Sequence, residues 1–129
     1  MNGPRANGSP LGPEDLEAAT AALSAQRDRL RTEVAGARDT ESTLRADCDL
    51  DAADTSAKAV TIQELHIRVQ AAEALLHRTL AALARIRDQT FGLCTACGAP
   101  IGRERVMALP HAELCVACTE QRETGTGAP

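Results

Sequence analysis

Four cysteines close to the C-terminus, Cys94, Cys97, Cys115 and Cys118, form two Cys-x-x-Cys pairs with seventeen residues between them. Two residues between cysteines let both sulfurs of a pair reach one tetrahedral ion from a tight turn, and a loop of this length brings the second pair to the opposite side. The spacing therefore predicts a four-thiolate site for a single Zn2+, with Gly98 supplying the positive φ that such a turn often needs. Four sulfurs close the coordination sphere and leave no position for water, so the metal is expected to be structural and the chain not to be an enzyme. No Ser/His/Asp set and no phosphate-cradling glycine loop offers other chemistry, and His66, His77 and His111 are not spaced with the cysteines. Two redox-active dithiols or two disulfides are the competing readings. The N-terminus, Met1 to Arg5, has no apolar run of the secretory kind, which points to a reducing cytoplasm and so against disulfides.

The rest of the chain has little material for a wide core with which to hold this site. Of 129 residues 25 are alanine, Phe91 is the only aromatic, and there is no Trp or Tyr. Alanine buries little area, so an elongated helical body with a metal-stapled module suits the inventory better than a globule. No apolar stretch approaches the roughly 20 residues needed to cross a bilayer, and no membrane association is expected. Residues 1–12, with three Gly, two Pro, two Asn and one Ser, read as a flexible tail. Pro13, followed by Glu14, Asp15 and Glu17, then reads as a helix start, because proline suits the first helical position and acids suit the positive end of the helix dipole.

In that helix Leu16, Leu23, Leu30, Ala37 and Leu44 recur every seven residues, a narrow stripe beside the mostly polar row Thr20, Arg27, Val34 and Glu41. The second helix carries a fuller seam: Ile62, Leu65, Val69, Ala72, Leu76, Thr79, Leu83 and Ile86 alternate steps of three and four. Thr61 and Glu64 resemble a capping box at its start, and Gly92 is a plausible stop. Neither stripe stabilises a helix alone, so the two seams need each other or a second chain. Counting in sevens from Leu44 lands on Leu65, and register therefore allows one continuous helix that dimerises. Residues 47–57, with four Asp plus Thr and Ser, favour a turn instead. The expected architecture is mainly α: a flexible tail at 1–12, a monomeric antiparallel coiled-coil hairpin at 13–90 with an acidic tip at 47–57, a four-Cys zinc finger at 91–120, and a flexible tail at 121–129.

Charge separates the function classes. The tip holds four acids and no base, and such a cluster repels nucleic acid and favours a basic or metal-containing partner site, although the same Asp residues also serve as helix caps. Residues 91–129 carry three arginines and four acids, so the phosphate footprint of a DNA-binding finger is missing and direct nucleic-acid binding is not expected. Cys48 reads as an incidental small residue, with only Arg45 near it as a cationic helper.

The segment Phe91–Cys118 resembles the zinc finger of the DksA/TraR family of bacterial RNA polymerase-binding regulators. The likeness lies in the aromatic-Gly-x-Cys entry, Gly98 after the first pair, Ile101, Arg105, Ala108 and Pro110, and in the long coiled coil ahead of the finger. Members with an active tip carry D-x-x-D-x-A there, and Asp51-Ala52-Ala53-Asp54 falls at the corresponding distance before Cys94, with Ser56 in the alanine position and Ala57 next. The resemblance implies insertion of the tip through the secondary channel of RNA polymerase, with Asp51, Asp54 and Ala57 as the functional tip. It implies that the zinc module fixes the hairpin base and contributes to docking. Some members bind the alarmone ppGpp through basic residues before the finger's proline and after its last cysteine. Those positions are Leu109 and Thr119 here, leaving Arg78 as the candidate base, so alarmone dependence is not expected to carry over. A zinc or thiol redox sensor and a coiled-coil structural adaptor are the alternative functions.

Overall fold

A computed structural model describes residues 11–46 and 52–125, with residues 52–54 and 125 described by their backbone alone. Two long helices, α1 (Pro13–Ala46) and α2 (Ala52–Arg87), precede two short ones, α3 (Arg103–Ala108) and α4 (Val116–Gly125). The described residues divide into two compact units. One combines those up to Ala25 with those from Arg78 onward, and the other lies within Gln26–His77.

The expected seams are the buried faces. In the second unit Ala37 packs with Leu65 and Val69, with Val34 and Leu44 against them, and Arg38 makes an ion pair with Glu73. In the first unit Ala19 and Leu23 pack with Ala82, and Leu16, Leu83 and Ile86 lie against that cluster. Early α1 thus meets late α2, and late α1 meets earlier α2. This pairing is antiparallel within one chain, and it replaces the alternative of one continuous helix. Ala19 and Ala82, at 1% and 0% exposure, lie outside both expected stripes. Their small side chains let the helix backbones come close just where the finger adds its own apolar residues.

Both ends of α2 differ from expectation. The helix starts at Ala52, so Thr61 and Glu64 lie in its interior and form no capping box. The residues counted as a turn from Ala52 to Ala57 are helical, and only positions 47–51 of the acidic segment lie outside the described residues. Asp54, Thr55 and Ser56 are poor in a helix interior but suitable in a first turn, where acids meet the positive dipole end. At the other end α2 stops at Arg87 rather than at Gly92. Thr90 N–H donates to Arg85 O at 2.9 Å and Gln89 N–H to Ile86 O at 3.2 Å, the paired bonds of a Schellman motif. Gln89 takes the left-handed position, φ 65°, that glycine usually fills.

Leu11 and Gly12, counted with the N-terminal tail, pack or hydrogen-bond at the start of α1, and α4 continues to Gly125 across residues counted with the C-terminal tail. Glu120 to Glu123 are all good helix formers, and the Gly and Pro content begins only after them.

A left-handed conformation costs a side-chain-bearing residue about 1 kcal/mol or more. Gln89→Gly should therefore stabilise the protein by about 1 kcal/mol in urea unfolding, and Gln89→Val should destabilise it by a similar amount. Equal stability of the two variants would show that the helix end does not depend on this position.

Candidate metal centre

The first cysteine pair sits on a turn set by its backbone. Leu93 and Pro100 form an isolated antiparallel bridge, Cys94 N–H donates to Ala99 O at 2.8 Å, and Gly98 N–H returns to Cys94 O at 2.9 Å. Gly98 has φ 79°, as the spacing requires, and Gly92, φ 89°, turns the chain into the bridge. Ile101 N–H closes the turn on Gly92 O at 2.7 Å. The second pair spans the start of α4, where Thr119 N–H donates to Cys115 O at 2.9 Å. Thr95 N–H joins the two halves through Glu113 O at 2.8 Å.

These constraints bring the ligand atoms of Cys94, Cys97, Cys115 and Cys118 within 4.8 Å of one another. A tetrahedral ion with Zn–S bonds of about 2.3 Å spaces its sulfurs by about 3.8 Å. Cys97 Sγ and Cys115 Sγ are 3.9 Å apart, and all four residues are free thiols in this geometry. The donor set therefore fits zinc, and the spacing is far beyond the roughly 2.05 Å of a disulfide. Cys94 and Cys115 are buried, Cys118 half-buried and Cys97 exposed. Beneath them, Phe91, Ile101 and Val106 join Ala19, Leu23 and Ala82 in one apolar cluster with Cys94 and Cys115. The metal module and the start and end of the helix pair share this core.

Two arginines hold the loop that carries the second pair. Arg105 Nε donates to Leu114 O at 3.2 Å and its Nη2 to Thr119 Oγ1 at 3.4 Å. Arg85 Nη2 donates to Ala112 O at 3.3 Å. Arg105 was legible in the sequence only as part of a family likeness, and Arg85 only as a charge near a helix end. The carbonyls they satisfy cannot be read from a linear pattern.

Beside this loop lies a cavity of about 420 Å³, lined among others by Arg78, Arg105, Arg122, His111, Leu109 and Thr119. Beside Arg78, the candidate base, the fold sets Arg105 from α3 and Arg122 from α4. Burial, and next the charge of Arg78, hold His111 below its ordinary 6.5, against the pull of Glu113. It is neutral at pH 7. The expected tip residues stand differently. Asp51 lies outside the described residues, Asp54 is placed in α2 by its backbone, and Ala57 is an exposed residue of that helix.

The thiols differ in acidity. Burial pushes Cys94 up, but backbone N–H groups of Cys115, Cys97 and Ala96 outweigh it, and its pKa settles at about 6. Contacts with Cys94, Cys115 and Cys97, together with partial burial, push Cys118 up to about 12. Zinc requires thiolates. At pH 7 Cys94 has already lost its proton, whereas Cys118 must release one on binding. Proton release on zinc uptake should therefore be measurable by calorimetry in buffers of different ionisation enthalpy. The apparent affinity should weaken as pH falls, more steeply below about 6, where Cys94 also holds a proton. Affinity independent of pH between about 5 and 7 would exclude thiolate ligation.

Comparison with known proteins gives this geometry a context. Residues 89–123 match the family model of the prokaryotic dksA/traR C4-type zinc finger. Over 36 residues, 28% of the chain, the sequence is 44% identical to the RNA polymerase-binding transcription factor DksA of Escherichia coli K12, and equally to that of Salmonella typhimurium LT2. Over 50 residues, 37% of the chain, it is 40% identical to an uncharacterized protein of Aquifex aeolicus. The matched stretches span 24% of the DksA proteins and 34% of the Aquifex protein. The fold is similar to that of the transcription factor DksA2 from Pseudomonas aeruginosa, with a TM-score of 0.77 at 24% identity, over 88% of this chain and 87% of that one.

Proposed function

We propose that the chain is a member of the DksA/TraR family and a transcription regulator that binds bacterial RNA polymerase, a reading supported by its C4 zinc finger and its helical fold. The observation that carries this reading is the finger, whose residues match proteins named for polymerase binding and whose closed four-sulfur site suits scaffolding rather than catalysis. The antiparallel pairing of α1 and α2 supports a monomer that presents its acidic segment at one end of a hairpin. In the proposed mechanism that segment enters the secondary channel of the polymerase and modulates initiation, without direct contact to DNA and in the cytoplasm. Asp51 and Asp54 act there through charge, with Ala57 on the adjoining exposed helix face. The formal charge of a zinc tetrathiolate, added to four acids against three arginines in residues 91–129, disfavours a phosphate backbone as the partner.

A second reading, a zinc or thiol redox sensor, is favoured by the exposure of Cys97. It differs in requiring zinc release under mild oxidant at rates that matter in cells.

The test is polymerase binding and initiation on several promoters with the wild type and with Asp51→Asn/Asp54→Asn. The double variant should retain polymerase binding while its effect on initiation falls on the order of tenfold. An unchanged effect on initiation would refute the role of the tip. Absence of polymerase binding by the wild type would refute the whole reading.

A further inference from the structure

The residues just ahead of α1 are tied to the finger by a set of contacts that no metal-site or polymerase role calls for. Leu11 precedes Gly12, the residue that caps α1, and Leu11 and Leu16 each pack against the apolar cluster of the finger. They hold the positions of a hydrophobic staple, one residue before the cap and one four places into the helix. Leu11 also rests directly on the metal-bearing turn: a Cβ placed on Gly92 would lie 2.6 Å from Leu11 Cδ1. Gly12 N–H donates to Asp15 Oδ2 at 3.0 Å, as in the return half of a capping box, and Leu16 N–H donates to Gly12 O at 3.1 Å.

Asp15 serves the finger as well. Arg103, the first residue of α3, donates from Nε to Asp15 Oδ2 at 2.9 Å and from Nη2 to Asp15 Oδ1 at 3.0 Å, a bidentate pair. The hydrogen bond from Arg103, and next the one from Gly12, lower the Asp15 pKa below its ordinary 3.8, so the carboxylate is charged at neutral pH. One side chain thus caps α1 and holds α3. Both anchor points, Gly92 and Arg103, flank the stretch that the first cysteine pair shapes, and Ile101 N–H to Gly92 O joins its two ends.

We propose that Leu11–Asp15 is a strap through which the zinc state of the finger controls the order of the first turns of α1. With zinc bound, the Gly92–Arg103 stretch presents both the seat for Leu11 and the fork for Asp15. When zinc leaves, that stretch loses its shape, because site formation and folding are coupled. The staple and the pair then lose their partners, and the start of α1 opens. The inference rests on the zinc site and stands independently of polymerase binding.

Amide hydrogen exchange on the full chain, followed by mass spectrometry, tests it, with zinc content measured in parallel. In Leu11→Ser and in Arg103→Gln at full zinc content, amides 14–19 should exchange about tenfold faster or more while those of 94–101 keep their protection. Asp15→Asn breaks the pair from the helix side, away from the finger, and provides the same reading should Arg103→Gln lose metal. Chelation of the wild type should speed exchange at 14–19 together with 94–101. Protection at 14–19 that survives chelation, or that is unchanged in zinc-loaded Asp15→Asn and Leu11→Ser, would overturn the strap.

Discussion

Convergence of four sulfurs on one ion is the constraint on which the remaining structure of the C-terminal half depends. The segment from Phe91 to Cys118 has no strand longer than an isolated bridge and one six-residue helix, too little regular structure to fold alone. What it has is a small apolar cluster and two turns whose geometry brings thiols together. A metal at the centre converts those turns into a rigid body, and the binding free energy becomes folding free energy. The long helices benefit in turn, because Ala19, Leu23 and Ala82 are buried against the same residues that lie under the metal.

The helix pair shows how a chain poor in large apolar residues still packs. Its seams mix leucine with alanine, and the most deeply buried positions near the finger are as small as Ala19 and Ala82. Small residues contribute little by area but permit close backbone approach, so dispersion contacts replace part of what bulk would give. Exposed pairs such as Arg45–Glu41 and Arg27–Asp28 add little, since charges in water are screened and their side chains must be ordered.

The cysteine spacing, the positive φ of Gly98 and both seams were legible because each follows from a local rule about spacing or periodicity. The start of α2 was not. Asp54, Thr55 and Ser56 are unfavourable in a helix interior and favourable in a first turn, and composition cannot tell these contexts apart. The stop at Gln89 was hidden because a Schellman motif there uses a residue other than glycine, while Gly92, the obvious candidate, is engaged in the finger. The packing of Leu11 was not legible either, since Gly92 and the finger residues of the apolar cluster lie some eighty residues or more along the chain. Arg85 and Arg105 were missed as loop anchors for the same reason: their acceptors are carbonyls of a loop whose path only the fold reveals.

Gly92 is determined twice over. Its φ of 89° strains any residue with a side chain, and the end of the Leu11 side chain occupies the space that a Cβ would need. A shorter residue at position 11 would clear the space without relieving the backbone, and a changed turn would relieve the backbone without clearing the space. Replacement at this position is therefore opposed first by the backbone and second by Leu11, whose side-chain end has to shift. Stepwise substitution meets a barrier here that neither neighbour, Phe91 nor Leu93, imposes through its backbone.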